Sequence, residues 1–204
     1  MIGTIFIILI ILYVAFLIFH QFYFLRDPAR QIPLGNNIIS PADGKITLIK
    51  KFDEDKIDIE KQFLGHVKSF TKDVANKGYI VSIFMSPFDV HINRAPISGT
   101  VKYVKHSDGK FLNASSLAST FENENVQMLF QDKKFKVKSI QIAGFLARRI
   151  VPLVKENEKV LKGQRIGLIK LGSQVTLILP STIKLKVKLG DKVSAGSSII
   201  AERK

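Results

Sequence analysis

The run Ile166-Gly-Leu-Ile-Lys-Leu-Gly-Ser-Gln-Val-Thr-Leu-Ile-Leu179 is apolar and rich in β-branched residues on both sides of a Gly172-Ser173 pair, and it reads as strand. A Gly-Ser pair inside a strand gives up packing and marks a bulge or a close backbone approach. The same pair also permits one particular chemistry. A serine hydroxyl can attack the preceding carbonyl when glycine leaves it unshielded, turning the amide into an ester. Loss of that ester by β-elimination leaves a dehydroalanine, which hydrolyses to an N-terminal pyruvoyl group. Taken alone the pair favours the plain bulge, so the surrounding chain has to decide.

Working outward, further strand candidates are Tyr79–Met85, Gly99–Val104, Val126–Phe130, Phe135–Ala143, Arg165–Lys170, Val175–Leu179 and Ile183–Leu189, separated by Gly, Pro, Asn and Asp. Only Ala114–Phe121 offers a short helical alternative. Lys159-Val160-Leu-Lys-Gly163-Gln-Arg-Ile166 and Lys192-Val193-Ser-Ala-Gly196-Ser-Ser-Ile199 repeat a Lys-Val-x-x-Gly-x-x-Ile pattern 33 residues apart. Two copies are too few for a solenoid but suit paired hairpins of the biotinyl or lipoyl type. Residues 38–204 are therefore predicted to form one mainly β domain, a sandwich or barrel-like fold.

The N-terminus is of another kind. Ile2 to Leu25 holds no charged residue, and at ~1.5 Å per residue it is long enough to cross a ~30 Å hydrocarbon core. No basic segment precedes it and no small-x-small site follows, which argues against a cleaved signal peptide. Phe22, Tyr23 and Phe24 fall where an interfacial aromatic belt belongs, and Arg26 and Arg30 on the C-terminal side predict a cytoplasmic domain on a single-pass anchor in the cell membrane. Residues 26–37, rich in Pro, Gly and Asn, read as a short connector that keeps the domain at the bilayer.

With 31 Lys plus Arg against 17 Asp plus Glu, the 204-residue chain carries a formal charge of +14. Beside an anchor, that charge points to an anionic lipid surface rather than nucleic acid. Cysteine is absent, which removes disulfides, thiolate ligands and thiol nucleophiles.

Ser86-Pro-Phe-Asp89-Val-His91-Ile-Asn93-Arg94-Ala-Pro96 follows an apolar strand, where sites are commonly built. His91 has Asp89 two residues away and prolines on either side. His20 belongs to the anchor, while His66 and His106 lie in polar, basic surroundings. As bare sequence, a pair such as His91–Asp89 is more often a structural hydrogen bond than a catalytic one, and Asp43 in Pro41-Ala-Asp-Gly44 fits a turn. Lys133, Lys134, Lys136 and Lys138, and Lys184, Lys186 and Lys188, alternate with β-formers and read as wet strand faces, with a membrane-facing basic strip as the other reading. Phe84, Met85 and Phe88 are expected in the core, with contact between Phe88 and lipid as the other reading.

Six segments together, Phe24-Leu-Arg-Asp-Pro-Ala-Arg30, Ser40-Pro-Ala-Asp-Gly-Lys45, Ser86–Pro96, Asn123-Glu-Asn125, Ala143-Gly-Phe-Leu-Ala-Arg-Arg-Ile-Val151 and Leu171-Gly-Ser-Gln-Val175, resemble the phosphatidylserine decarboxylase family. The likeness is to its short forms and to archaetidylserine decarboxylases. The resemblance implies a proenzyme that cuts itself between Gly172 and Ser173. Residues 1–172 would form a membrane-bound β chain, and a 32-residue α chain would begin with the pyruvoyl group made from Ser173. That ketone would serve as the electron sink for decarboxylating a serine phospholipid, with no separate cofactor and no metal.

It further implies Ser173 as nucleophile, Gly172 as the scissile carbonyl, Asp43 as a maturation carboxylate orienting a histidine, His91 at the decarboxylation site and Asp89 as a possible second carboxylate. Longer relatives carry a second histidine where this chain has Arg94. Arginine cannot act as a base, so His91 is expected to serve both self-cleavage and decarboxylation. Arg148 and Arg149, with Arg94, are candidate ligands of the substrate phosphate, the first two equally well a solvated strand end. A homodimer through free sheet edges is also expected. The rival reading is a tethered, non-enzymatic β-sandwich, an adaptor or carrier, although neither hairpin turn presents a lysine suited to biotin or lipoyl attachment.

Overall fold

The computed structural model describes residues 2–53, 70–109, 123–144, 150–169 and 173–204. Its N-terminus is a helix, α1 (Ile2–Ile18), that continues as a π-helical segment, Phe19–Phe24. Together they supply a 22-residue apolar span, Gly3–Phe24. Its described side chains are exposed through Ile18, Phe19 and His20 are half-buried, and the last, Phe24, is fully buried. The span is long and apolar enough to cross a membrane. The expected aromatic belt is thus reduced to Phe22 and Tyr23, because Phe24 turns into the domain.

Among the described residues the domain contains fourteen strands, numbered in chain order, and every pairing is antiparallel. The large sheet runs, in spatial order, β13 (Lys192–Val193), β2 (Gly44–Asp53), β3 (Lys77–Met85), β11 (Ser173–Pro180), β7 (Phe135–Ala143), β6 (Asn125–Asp132), β5 (Gly99–Ser107) and β9 (Lys159–Val160). Two three-stranded sheets accompany it: β1 (Asn37–Ile39), β14 (Ile199–Arg203) and β12 (Ile183–Leu185) in the order β1-β14-β12, and β4 (Ile92–Arg94), β10 (Arg165–Ile169) and β8 (Ile150–Pro152) in the order β4-β10-β8. The fold is the mainly β architecture anticipated from sequence.

Strand alternation sorts the core onto two faces. Val175, Leu177 and Leu179 of β11 join Val81, Ile83, Phe130 and Val137 of the large sheet and Ile38, Ile166, Ile169 and Ile200 of the small ones. Ile178 points the other way, into a cluster with Phe52, Phe70, Ile80, Ile140 and Ile142. Covered on both faces, β11 buries its polar residues too: the Ser82 and Thr176 hydroxyls share a hydrogen bond of 2.9 Å, and Gln174 Nε2 donates to Thr176 Oγ1 at 3.1 Å.

Most expected strands are present and somewhat longer, and β11 begins at Ser173 itself. Ile183–Leu189 stops at Leu185, since the chain turns where Asp191 accepts the Lys188 amide at 2.9 Å. Ala114–Phe121 lies outside the described residues. The two echoed segments do form matching turns, in which Gly163 (φ +83°) and Gly196 (φ +81°) adopt the left-handed conformation. A Cβ at Gly163 would come within 2.3 Å of Ile32 Cδ1, and one at Gly196 within 3.2 Å of the same atom. The pair of glycines therefore clasps the connector.

Three features add to or depart from what the sequence predicts. First, the connector is strapped to the domain: Asp27 receives Arg94 at 2.5 Å and also binds Arg165, while Lys162 Nζ donates to Gly35 O at 2.8 Å and Asn37 Oδ1 at 2.7 Å. Second, Lys138 is not on a wet face. Residues 70–73 cover it, and its ammonium donates to Asp73 and to Phe70 O, each at 2.6 Å, with the Tyr103 hydroxyl on the second Asp73 oxygen. Burial lowers the Lys138 pKa and raises that of Tyr103. Third, Phe88 is exposed, while Phe84 is half-buried and Met85 fully buried.

Candidate active site

β3 ends at Met85, and a tight turn follows. Ser86 N–H and Oγ–H both donate to Asp89 Oδ2 at 2.7 Å, closing the turn. The Asp89 carboxylate is thereby occupied in holding the loop, and it is the Asp89 backbone carbonyl that meets His91 Nδ1, at 2.9 Å. A carbonyl can only accept, so Nδ1 carries the proton and the Nε2 lone pair is free. Nε2 is buried and has no hydrogen-bond partner among the described residues.

Burial pushes the His91 pKa down to about 4. The Arg26 charge acts in the same direction, against the bond to Asp89 and the charges of Asp89 and Asp43. The imidazole is consequently a neutral base at physiological pH. Over it lies the ring of Phe24, with centroids 4.0 Å apart and planes at 29°, and His20 stacks on Phe24 at 5.5 Å.

A folded pKa below the ordinary 6.5 means that the unfolded chain takes up the proton first as pH falls. The stability this gives is complete above pH 6.5 and is lost on the way down to about pH 4. The loss amounts to on the order of 3 kcal/mol. Denaturation at pH 7 and pH 4.5 should show wild type losing more stability than His91→Gln; equal losses would contradict a buried neutral imidazole.

Ser173 heads β11, with Met85 of β3 as register partner on one side and Ala143 of β7 on the other. It is wholly buried, and among the described residues its hydroxyl finds the Met85 sulfur at 3.3 Å. A thioether is a weak acceptor, so the hydroxyl is held out of water without a strong competitor for its proton. Ile169, the last residue of β10, donates its amide to His91 O at 3.4 Å. The segment leading to Gly172 therefore starts beside His91 and ends beside Met85.

Behind Ser173 runs a buried polar row that the sequence reading missed. Asn93 Nδ2 also reaches Met85 Sδ at 3.8 Å, Gln141 Nε2 donates to Asn93 Oδ1 at 2.6 Å, and Asn123 Nδ2 donates to Ala143 O at 2.8 Å. The available signal was Gln141 itself, a polar residue between Ile140 and Ile142 in a strand otherwise fit for the core.

The other sequence candidates separate. Asp43 is not on His91; it accepts Arg30 at 2.9 Å on each oxygen and the Ala195 amide at 2.7 Å on one. A guanidinium offers this carboxylate the stronger partner. Arg94 is no free phosphate ligand, because it donates to Gly163 O at 2.9 Å as well as to Asp27. Arg148, Arg149 and Gly172 lie outside the described residues, as does His66. No group of residues able to hold a metal ion occurs among the described residues.

Comparison with known proteins bears directly on this arrangement. The family model described as phosphatidylserine decarboxylase matches residues 19–201. A putative archaetidylserine decarboxylase proenzyme of Methanocaldococcus jannaschii is 44% identical over 183 residues, covering 89% of each chain. A phosphatidylserine decarboxylase proenzyme of Chlorobium phaeobacteroides is 44% identical over 187 residues, 91% of this chain and 80% of its own. The proenzyme of the same name from Novosphingobium aromaticivorans is 43% identical over 92% of this chain and 74% of its own.

Proposed function

Since the chain belongs to the phosphatidylserine decarboxylase family and is a decarboxylase proenzyme, we propose that it matures by cutting the Gly172–Ser173 bond and then decarboxylates a serine phospholipid with the pyruvoyl group that Ser173 becomes. The observation that carries this is the setting of Ser173: a buried hydroxyl on a sulfur, at the first residue of a strand paired on both sides. Such a residue keeps its position after the bond before it is lost, because β11 remains laddered to β3 and β7.

In maturation, Ser173 Oγ adds to the Gly172 carbonyl and the peptide nitrogen departs, leaving an ester and a free amine. Removal of the Ser173 α-proton then expels the Gly172 carboxylate, and hydrolysis of the resulting dehydroalanine releases ammonia. Two proton abstractions are required. His91, neutral and with Nε2 unengaged, is the base suited to them.

The site fits the group: Ser173 is wholly buried and dry, with its hydroxyl on the Met85 sulfur, so a ketone formed there is shielded from water. When formed, the pyruvoyl ketone supplies an electrophilic carbon that takes up the electrons released as carbon dioxide leaves. The chain's own part is to shield the site from bulk water through Phe24 and Met85, and to deliver the one proton the reaction consumes, which His91 Nε2 takes up from solvent and passes to the substrate carbon. The substrate phosphate falls to Arg148 and Arg149. Their segment is bounded by Ala143, the partner of Ser173, and by Ile150, the partner of Ile169. Asp43 supports the site through its charge, and Asp89 through the turn that presents His91. Arg26 and Arg30, directly after the span, favour a cytoplasmic position for the domain.

Full-length protein in detergent should yield two fragments of very unequal size, the smaller blocked to N-terminal sequencing and lighter at residue 173 than serine. It should also release carbon dioxide from serine lipids, and trials of diacyl and diether forms identify the preferred backbone. An intact serine at 173 with no carbon dioxide evolved would overturn the proposal.

A further inference from the structure

Phe88 is 66% exposed, at the tip of the Ser86–Asp89 turn that delivers His91. It does not face open solvent on every side. Its ring packs edge-on against Phe19 of the apolar span, with centroids 6.2 Å apart and planes at 78°. Two contacts of Arg26 fix this turn to the foot of the helix: the guanidinium donates to Phe88 O at 2.6 Å and lies 3.9 Å over the Tyr23 ring.

Height along the helix gives these contacts their meaning. The helix meets the domain at Phe24, and Phe19 stands five residues earlier, roughly 7 Å further toward the far end of the span. Phe88 therefore rises beside the helix, above the level at which the domain begins. In a bilayer that level is the boundary of head groups and acyl chains, where exposed aromatic rings collect. Phe22 and Tyr23, also exposed, belong to the same band, and Arg26 adds a cation at phosphate depth.

Resting on the readings that Gly3–Phe24 crosses the membrane and that His91 serves the reaction, we propose that the Ser86–Asp89 turn is inserted in the membrane interface with Phe88 at its tip. A phospholipid head group then reaches His91 along this turn without leaving the bilayer. Two residues, Asp89 and Val90, separate the inserted ring from the imidazole, and Phe24, which covers His91, belongs to the same helix foot.

The chain contains no tryptophan, so Phe88→Trp in the full-length protein is a single emitter. In vesicles of phosphatidylcholine and phosphatidylglycerol it should emit at short wavelength and be quenched most by bromines near the head-group end of the acyl chain. Lys134→Trp is the control. It is exposed in the β6–β7 hairpin, at the end of β7 opposite Ala143, and should emit as in water and escape quenching. Water-like emission from Phe88→Trp overturns the proposal. Short-wavelength emission without lipid quenching also overturns it, by assigning the ring to a protein contact such as a second copy.

Phe88→Ser should mature normally and keep its kcat, while KM for vesicle-borne lipid rises by roughly an order of magnitude. KM for a dispersed short-chain lipid should stay put. An unchanged vesicle KM would defeat the entry route. Quenching of Phe88→Trp as expected, in a protein that cleaves neither in that variant nor in the wild type, would instead defeat the assignment of the site and leave the inserted turn intact.

Discussion

Ser173→Ala is expected to run as a single band at the full 22.9 kDa, with no small fragment at any pH and no decarboxylation. The substitution removes one oxygen from a fully buried position whose hydroxyl rests on the Met85 sulfur, so the cost in folding is that of one weak hydrogen bond, about 1 kcal/mol or less. Loss of function therefore cannot be blamed on an unfolded chain, and a thermal melt within a few degrees of the wild type confirms it. Ser173→Thr tests the geometry in turn. A hydroxyl remains, but its added methyl must fit between Met85 and Ala143, and slow partial cleavage is the expected result. If Ser173→Ala still gives two fragments, the scissile bond lies elsewhere and the site has been wrongly assigned.

His91→Ala should lengthen the life of the uncut precursor by some 10²–10⁴-fold, the usual contribution of a positioned base. His91→Gln should do the same while filling the space beneath Phe24. The pair separates lost chemistry from a collapsed pocket. Because burial holds the imidazole neutral down to about pH 4, wild-type cleavage should keep its rate from pH 8 to pH 5, where an ordinary histidine would already have fallen off. Wild-type cleavage rates in His91→Ala would transfer the base to another group and leave His91 with decarboxylation alone.

How far these assignments could be read in advance depended on the distance over which each residue finds its partners. β11 declared itself through the apolar, β-branched residues of Ile166–Leu179, and Ser173 stood out because the Gly172-Ser173 pair breaks that run. His91 was visible through the rigid, polar loop around it. Asp43 was visible as a residue but not as half of a pair: Arg30 lies outside its turn, and nothing in Pro-Ala-Asp-Gly announces a guanidinium. The same holds for Phe24 on His91, which joins the apolar N-terminal span to a loop 67 residues away. Lys138 misled for a related reason. Alternation gives the side of the strand correctly, but only the fold reveals that residues 70–73 cover that side.

The strand that opens with Ser173 is flanked by β3 and β7, while β13 and β14, further along the same 32-residue stretch, pair with β2 and β1. The last sixth of the chain is thus woven into three different parts of the rest. Such a weave has to be made while the polypeptide is still continuous, for two separate pieces would have to meet in solution and thread a finished sheet. Heat or denaturant should accordingly inactivate the mature protein for good, whereas an uncut variant recovers on cooling. The molecule is assembled once, and the act that arms it removes its means of reassembly.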